Sequence, residues 1–475
     1  MTRPAAGSHA IVLGASLTGL TMARVMARHF DHVTLIERDV LPSEPVWRRG
    51  VPQARHTHNL LGAGQQALEE LFPGLLGQLR TAGMVPVRMP ADMLLLVPGG
   101  WVRRFEGPHV VLSGTRDLLD HHVRGRLHEQ ANITWLEDTE ATGLLAGSDG
   151  GVDGVKVHTR TAEGTWGEQR ELRADLVVDA TGRTSQTPAW LRGLGYQTPD
   201  ESVVDPLTSY ATCVFEPPAD LPRDWKCILI QSTEREPRQG ILNPIEGGRW
   251  MVSVTGMNGE RPPLNHEGFV DFAKRLRTPV LYEAIRDATP VSQVYGSGRT
   301  ENRFRHYERL RRWPDRFVVA GDAFGSFNPS YGQGISVAAR TAVAVDKALT
   351  AARHGHGGSV PAGLAARLRK PIAAELNAAW ALSAAADSGY PWAREGNQSL
   401  PARLAGGYMQ RLLRIATDNE RAATALFDMT HLVAPPTVVF KPSIVAAVIR
   451  GPRQTVVDTT TPPAARGLIT EGRRQ

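Results

Sequence analysis

Residues 9–39 constrain the fold more than any other part of the chain. His9-Ala-Ile-Val-Leu-Gly14 is a short apolar run that reads as a buried strand. Gly14-Ala-Ser-Leu-Thr-Gly19 follows, and apolar residues then recur at helical spacing from Leu20 to His29. A second apolar run, His32-Val-Thr-Leu-Ile, ends in Glu37. This is the strand–turn–helix–strand order of a dinucleotide-binding unit, with Gly-x-Ser-x-x-Gly where Gly-x-Gly-x-x-Gly is usual. Gly14 turns the chain sharply off the strand, Ser16 is small enough to let a pyrophosphate approach, and Gly19 lets helix and sheet pack closely. The helix N-terminus offers free N–H groups and partial positive charge to phosphates. Glu37, 18 positions beyond Gly19, stands where an acid accepts hydrogen bonds from ribose hydroxyls. An acid there disfavours a 2′-phosphate, so the expected nucleotide is FAD or NAD rather than NADP.

At 475 residues the chain has room for two or three domains. Its net charge of +6 is thin over that length, and no basic run is interleaved with aromatics, which argues against nucleic-acid binding. Cys213 and Cys227 are the only cysteines. They make no disulfide framework, and no Cys/His set has zinc spacing, so no metal is expected. The first strand starts almost at the N-terminus and no apolar run reaches membrane-spanning length, so neither a signal peptide nor a membrane span is expected and a cytoplasmic location fits. The Thr-, Pro- and Arg-rich stretch from Arg453 onward is expected to be poorly ordered.

Beyond Glu37 the chain carries a dense polar loop, Gly50-Val-Pro-Gln-Ala-Arg-His-Thr-His58, just before an apolar helix over 60–71. It reads either as a solvated loop or as one that folds over the cofactor and brings Gln53, Arg55 or His56 to its polar edge. Met93–Val97 and Val110–Leu112 read as strands of a sheet excursion. Arg116 at the following helix start is unfavourable for the helix dipole, and a guanidinium there suits a phosphate as well as the surface. Ala174-Asp-Leu-Val-Val-Asp179-Ala-Thr-Gly182 is a buried strand whose small terminal residues let the chain pass close to a nucleotide. Residues 185–300 alternate as antiparallel strands, with Glu246-Gly-Gly248 as a hairpin turn and one helix from Phe269 to Ile285. Arg316-Phe-Val-Val-Ala-Gly321-Asp322 then repeats the pattern of an apolar strand ending in Gly-Asp. It leads through Phe327-Asn-Pro-Ser-Tyr-Gly-Gln-Gly334 into a long helix. Two helix N-termini aimed at one ligand suit a large nucleotide such as FAD. Residues 362–450 are helical and Ala-rich, read either as a packing subdomain or as a cavity wall for an apolar ligand.

Taken together, the Gly14–Gly19 turn with Glu37, Arg116, Asp179–Gly182 and Gly321–Gly334 resemble the aromatic-hydroxylase-like superfamily of FAD-dependent monooxygenases. Within it the chain is most similar to the flavin-dependent polyene epoxidases of polyether biosynthesis. Three stretches carry that likeness: Gly50 to His58, Pro244-Ile-Glu-Gly-Gly-Arg-Trp250, and Phe327 to Gly334. The chain departs from that group at Gln333, where those enzymes have histidine.

The resemblance implies an α/β chain with a Rossmann-like FAD-binding domain over 1–90, 113–184 and 301–352. An inserted, mostly antiparallel substrate domain is expected over 91–112 and 185–300, a helical C-terminal region over 353–452, and a disordered tail over 453–475. It also implies that Gly14, Ser16, Gly19, Glu37 and Arg38 hold the ADP half of FAD. Arg116 and Asp322 would approach the middle of the cofactor, and Gln53 its polar edge. Gly334 and Ile335 would present N–H groups to the flavin carbonyls, with His56 and Gln333 as candidate catalytic contacts. The implied reaction is transfer of one oxygen atom from O2 to a small lipophilic substrate of polyene or polyketide type, most readily alkene epoxidation through a flavin C4a-hydroperoxide. Aromatic hydroxylation and a flavin-dependent alkene reduction of the geranylgeranyl-reductase type are the alternatives. Electrons would come from NAD(P)H or from a separate flavin reductase.

Overall fold

The structure, a computed structural model, describes residues 8–354, 361–395, 400–452, 459 and 461–464. Most of the tail expected to be disordered lies outside the described residues.

At the centre of the nucleotide domain is a five-stranded parallel sheet in the order Phe317–Val319, Leu176–Asp179, His9–Leu13, His32–Ile36, Ile133–Leu136. Its strands are nearly continuous apolar runs because both faces are covered. The helices Leu17–His29 and Gly334–His354 pack against each other, and their buried residues share one core with the sheet. A three-stranded antiparallel sheet, Thr139–Ala146, Val152–Thr159 and Arg170–Arg173, stands beside it.

The substrate side is an eight-stranded sheet. Its main path runs Thr289–Pro290, Ser209–Glu216, Trp250–Gly256, Arg238–Pro244, Cys227–Ile230, Met93–Val97, Gly100–Trp101, with Tyr295–Ser297 added against Ser209–Glu216. All its pairings are antiparallel except Cys227–Ile230 with Met93–Val97, which is parallel. Side chains alternate across it with the strand period of two. Leu94, Leu96, Ile228, Ile230, Leu242, Trp250, Val252, Val254, Ala211 and Cys213 face a core shared with the helices His266–Lys274 and Val280–Ile285. The opposite face looks into a cavity.

Two local expectations change. The helix expected over 269–285 is two helices, His266–Lys274 and Val280–Ile285. Pro279, the N-cap of the second helix, cannot donate a backbone hydrogen bond and disfavours helical geometry in the residue before it, so one helix cannot run unbroken through this point. His109–Ser113 pairs not with the large sheet but with Val85–Met89 and Asn59–Leu60, so the excursion ends before this strand. Glu201–Val204 pairs with Asn302–Arg305, which in turn pairs with Gly325–Ser326. That small sheet ties the start of the second region back to the nucleotide domain.

The C-terminal helices Leu364–Ser388, Leu400–Ile415 and Glu420–Thr430 complete the cavity from the side facing the large sheet, and Pro442–Arg450 packs behind them. No helix among the described residues is long and apolar enough to cross a membrane.

Candidate active site

The turn after the first strand is built on close approach. Gly14 has a φ of +93°, and a Cβ there would sit 2.8 Å from the Ala180 carbonyl oxygen. A Cβ on Gly19 would lie 1.6 Å from the Gly14 carbonyl oxygen, so only glycine fits between helix and strand. Ser16 caps the helix Leu17–His29 without a side-chain cap bond. Its hydroxyl instead accepts from an Arg116 Nη at 3.2 Å. Arg116 is buried, and its Nε donates to Asp120 at 2.6 Å. A guanidinium and a helix N-terminus thus converge at one wall of the cavity, a geometry that binds pyrophosphate. Arg116 can begin its helix because Thr115 caps it and Glu246, from the hairpin of the large sheet, accepts from the Thr115 N–H at 3.0 Å. An acid at the helix start offsets the misplaced cation.

Glu37 is buried and accepts from the N–H groups of Ala15 at 2.8 Å and Asp39 at 3.1 Å. It also pairs with Arg48 at 3.1 Å, while another Arg48 nitrogen donates to the Ala15 carbonyl. With about four acceptor positions on a carboxylate, these three donors leave one open. Glu37 is set back from the cavity, whereas exposed Arg38 lines it.

At the other end, Gly321 (φ +60°) brings its turn against the first helix, where a Cβ would meet the Thr18 hydroxyl at 2.3 Å. Asp322 lines the cavity. Burial pushes its carboxyl up, and the guanidinium groups of Arg183, Arg116 and Arg305 pull it back down. Gly334 and Ile335 open the 21-residue helix Gly334–His354 at the cavity wall. A Cβ on Gly334 would meet nothing within 4 Å, so this helix end faces open space. Gln333 is 3% exposed; its Nε2 donates to the Thr430 carbonyl at a long 3.4 Å, and its buried Oε1 has no partner. An orphaned buried acceptor at a helix N-terminus marks a place for a ligand donor.

Asp179, whose strand also ends at the cavity, has a different task. It is fully buried and accepts from the Thr181 N–H at 2.9 Å and from the hydroxyls of Thr181, Ser185 and Thr187. The carboxylate fastens its own turn, and the neighbouring Ala180 to Thr184 backbone forms the wall.

The polar loop divides. Gln53 is half-buried on the cavity wall. Arg55 is stacked between Trp47 and Tyr295, its guanidinium 3.5 and 4.3 Å from the two ring centroids, and is not among the cavity-lining residues. His56 reaches the cavity, with Nδ1 2.8 Å from the Thr212 hydroxyl and its ring edge-on to Tyr210. His58 turns back to the His56 carbonyl at 2.8 Å.

The cavity has a volume of about 2380 Å³, well beyond the ~300–1,000 Å³ of a single small-ligand site. Away from the phosphate end its wall is apolar, with Met93, Leu95, Val97 and Leu229 from the sheet facing Met409, Leu413 and Phe427 from the helices. The C-terminal helices therefore both pack and line the cavity.

Sequence reading did not single out Thr212, Ser253, Arg183, Arg305 or Asp387. Period-two alternation along Trp250-Met-Val-Ser-Val-Thr255 carried the signal for Ser253. Asp387, an acid in the Ala-rich run Ser383-Ala-Ala-Ala-Asp387, carried its own.

Three buried histidines set an acid limit. Burial, helped by His58 and Arg55, lowers His56 to about 3. Burial and Arg116 lower His58 to about 4, and burial with His109 lowers His431 to about 3. The unfolded chain takes up these protons near pH ~6.5 and the fold does not. Stability is therefore full above that value and falls as pH drops toward 4. Asp117, raised to about 7 by burial and by Asp120, works in the opposite direction as one group against three. At pH 5 the buried His56 and His431 each cost about 2 kcal/mol. Urea unfolding midpoints should thus decline steeply between pH 6.5 and 5; a flat profile would show that these imidazoles are already protonated in the fold.

Residues 108–378 match the family described as an FAD binding domain. The chain belongs to this family of flavin monooxygenases. It is 31% identical over 387 residues to Protein Rv3254 of Mycobacterium tuberculosis, covering 80% of each chain. It is 29% identical over 359 residues to 6-methylpretetramide 4-monooxygenase of Streptomyces rimosus, covering 73% of this chain and 76% of that one. The structure of the flavin-dependent brominase Bmp2 shares the fold, with a TM-score of 0.65 at 13% identity over 93% of this chain and 98% of that one. The α/β architecture with a Rossmann-like FAD domain, antiparallel sheets and a helical C-terminal region is the one expected from the sequence. FAD is the cofactor, and the residues at the cavity fit it: glycines at closest approach, two helix N-termini, a buried guanidinium and an unpartnered amide oxygen.

Proposed function

We propose that this flavin monooxygenase inserts one oxygen atom from O2 into a lipophilic natural-product intermediate. The observation that carries the reading is the cavity itself, which joins a nucleotide-binding end to a large apolar compartment between sheet and helices. Bound FAD, once reduced, supplies the activation of O2; the protein supplies position and environment. In this reading Ser16, the N-terminus of the first helix and Arg116 hold the pyrophosphate. Glu37 and Arg38 hold the adenosine side, and Asp322 takes the ribityl hydroxyls. The N–H groups of Gly334 and Ile335 stabilise negative charge on the flavin carbonyl end. Gln333 and Gln53 complete the polar rim, and the Met- and Leu-rich wall excludes water and orients the substrate.

Alkene epoxidation is the finer reading, supported by the stretches at Gly50–His58, Pro244–Trp250 and Phe327–Gly334. Ring hydroxylation is the second, supported by the Streptomyces relative. Incubation of the holoprotein with a reductant, labelled O2 and a panel of polyenes and polycyclic phenols separates them. A labelled epoxide supports the first, a labelled phenol the second, and unchanged substrates across the panel contradict both. Bleaching of the flavin by NADH or NADPH alone in stopped flow would mark a direct donor; bleaching only with an added flavin reductase would mark an external one.

A further inference from the structure

We propose that the outer face of the helices Leu400–Ile415 and Pro442–Arg450 docks on an anionic phospholipid surface, from which the cavity takes its ligand. The surface stands on its own residues; only its purpose, uptake of a lipophilic substrate, rests on the oxygenase reading above.

The face is apolar where a solvated helix face is ordinarily charged. Leu400, Leu404 and Tyr408 recur at four-residue spacing and so lie along one side of their helix. Leu400 and Leu404 are 66% and 67% exposed, and every residue from Arg403 to Gly407 is exposed, so little protein covers the first turns of this helix. Tyr408 continues the ridge. Its ring stacks on Phe440 at 4.9 Å between centroids, and its hydroxyl donates to the Val439 carbonyl at 2.6 Å. Phe440 is itself 53% exposed. The helix Pro442–Arg450, which packs against Leu400–Ile415, turns Pro442, Ser443, Ala446, Ile449 and Arg450 outward, with Ile449 79% exposed. Large apolar side chains gathered in this way on a surface mark a contact site.

Charge chooses the partner. Residues 400–417 and 429–452 contain Arg403, Arg411, Arg414, Lys441 and Arg450 and no Asp or Glu, a charge of +5 in a chain whose total is +6. All five are exposed, and none is in an ion pair among the described residues. Leu, Phe and Ile interspersed with Arg and Lys is the composition of an interfacial helix, whose apolar side chains enter the acyl boundary while its cations meet lipid phosphates. A second copy of the chain would set these cations against their own kind. A folded acidic protein would match the charge but would need a pocket for each side chain that stands clear of the surface. A fluid lipid layer closes around them without one.

The same face borders the cavity. Arg403, Gly406, Gly407 and Phe440 are exposed and also line it, so the cavity reaches the surface at the ridge. Met409, Leu413 and Phe427 continue its wall inward. A lipophilic compound dissolved in the bilayer thus passes from acyl chains to apolar wall without being hydrated on the way.

The test is co-sedimentation of the FAD-loaded full chain with phosphatidylcholine vesicles, with and without phosphatidylglycerol. The expected result is binding to the phosphatidylglycerol vesicles only, weakening as salt is raised. Lys441→Gln and Arg450→Gln should each weaken it about five-fold, the effect of one cation at an anionic surface. Leu404→Ser and Ile449→Ser should each weaken it about ten-fold, by loss of one buried aliphatic side chain. All four residues are exposed, so FAD content and urea midpoint should stay at the parent values, which separates lost docking from lost fold. No sedimentation with either vesicle, equal binding to both, or variants that bind as the parent does would overturn the proposal. Self-association abolished by Ile449→Ser, or binding of an acidic protein in place of vesicles, would overturn it in favour of a protein partner. Yellow protein that ignores vesicles loses the docking surface alone; colourless protein that still binds them loses the oxygenase reading and keeps the surface.

Discussion

Gly19→Ala should abolish FAD uptake and destabilise the nucleotide domain. The added Cβ would be placed 1.6 Å from the Gly14 carbonyl oxygen, a backbone atom of the turn proposed to receive the pyrophosphate. No side chain can rotate to relieve that overlap, so the helix Leu17–His29 must move off the sheet. Overpacking in a well-filled core costs ~1–3 kcal/mol and sometimes more, and a clash with backbone belongs at the upper end. The same displacement moves the helix N-terminus and Ser16 away from Arg116, so cofactor affinity falls with stability. The check is a paired measurement of urea midpoint and FAD dissociation constant. Near-normal values for both would mean that the helix has room the structure does not show. Gly334→Ala is the matched control, since a Cβ there meets open space, and should leave stability within ~1 kcal/mol.

The second large effect lies away from the cofactor wall. Asp387, near the end of the helix Leu364–Ser388, is fully buried. It accepts from Asn302 Nδ2 at 2.6 Å, Asn328 Nδ2 at 3.0 Å and the Tyr331 hydroxyl at 2.6 Å. Asn302 in turn accepts from the Asn328 N–H at 2.8 Å. This cluster ties the C-terminal helix to the 327–334 loop that leads into Gly334. Asp387→Ala orphans the buried Asn302 and Asn328 donors and frees the half-buried Tyr331 hydroxyl; at ~1–3 kcal/mol for each buried donor, a loss of at least ~2 kcal/mol is expected. Loosening of the loop should also weaken FAD binding. Asp387→Asn keeps the volume and one acceptor oxygen and should lose less of both. Were the alanine variant as stable as the parent with unchanged FAD affinity, the cluster would have no part in fixing the loop.

The parts of this molecule that follow local rules were legible from the chain alone. The parallel strands announce themselves as unbroken apolar runs, and Gly14 and Gly19 stand where the turn geometry requires them. The two breaks in expectation have different causes, one local and one long-range. Pro279 overrides an apolar helical pattern, and His109–Ser113 joins partners far away in sequence that no window of residues shows. Of the positions singled out in the sequence, Asp322 and Gly334 come to the cavity wall, where backbone turns place them. The site was less legible where side chains from distant strands meet. Thr212 and Ser253 become neighbours only through sheet register, and Asp387 meets Asn302, Asn328 and Tyr331 only because the C-terminal helix packs across the nucleotide domain. Asp179 shows the converse: a polar residue in a nucleotide-like pattern whose carboxylate is consumed by its own turn.

The most direct test of the account is the absorption spectrum of the purified protein before and after equilibration with FAD and removal of the excess. A yellow protein with the two absorption bands of oxidised flavin, releasing one intact FAD per chain on denaturation and losing that capacity in Gly19→Ala, is the expected result. A colourless protein that stays colourless after exposure to FAD would contradict it.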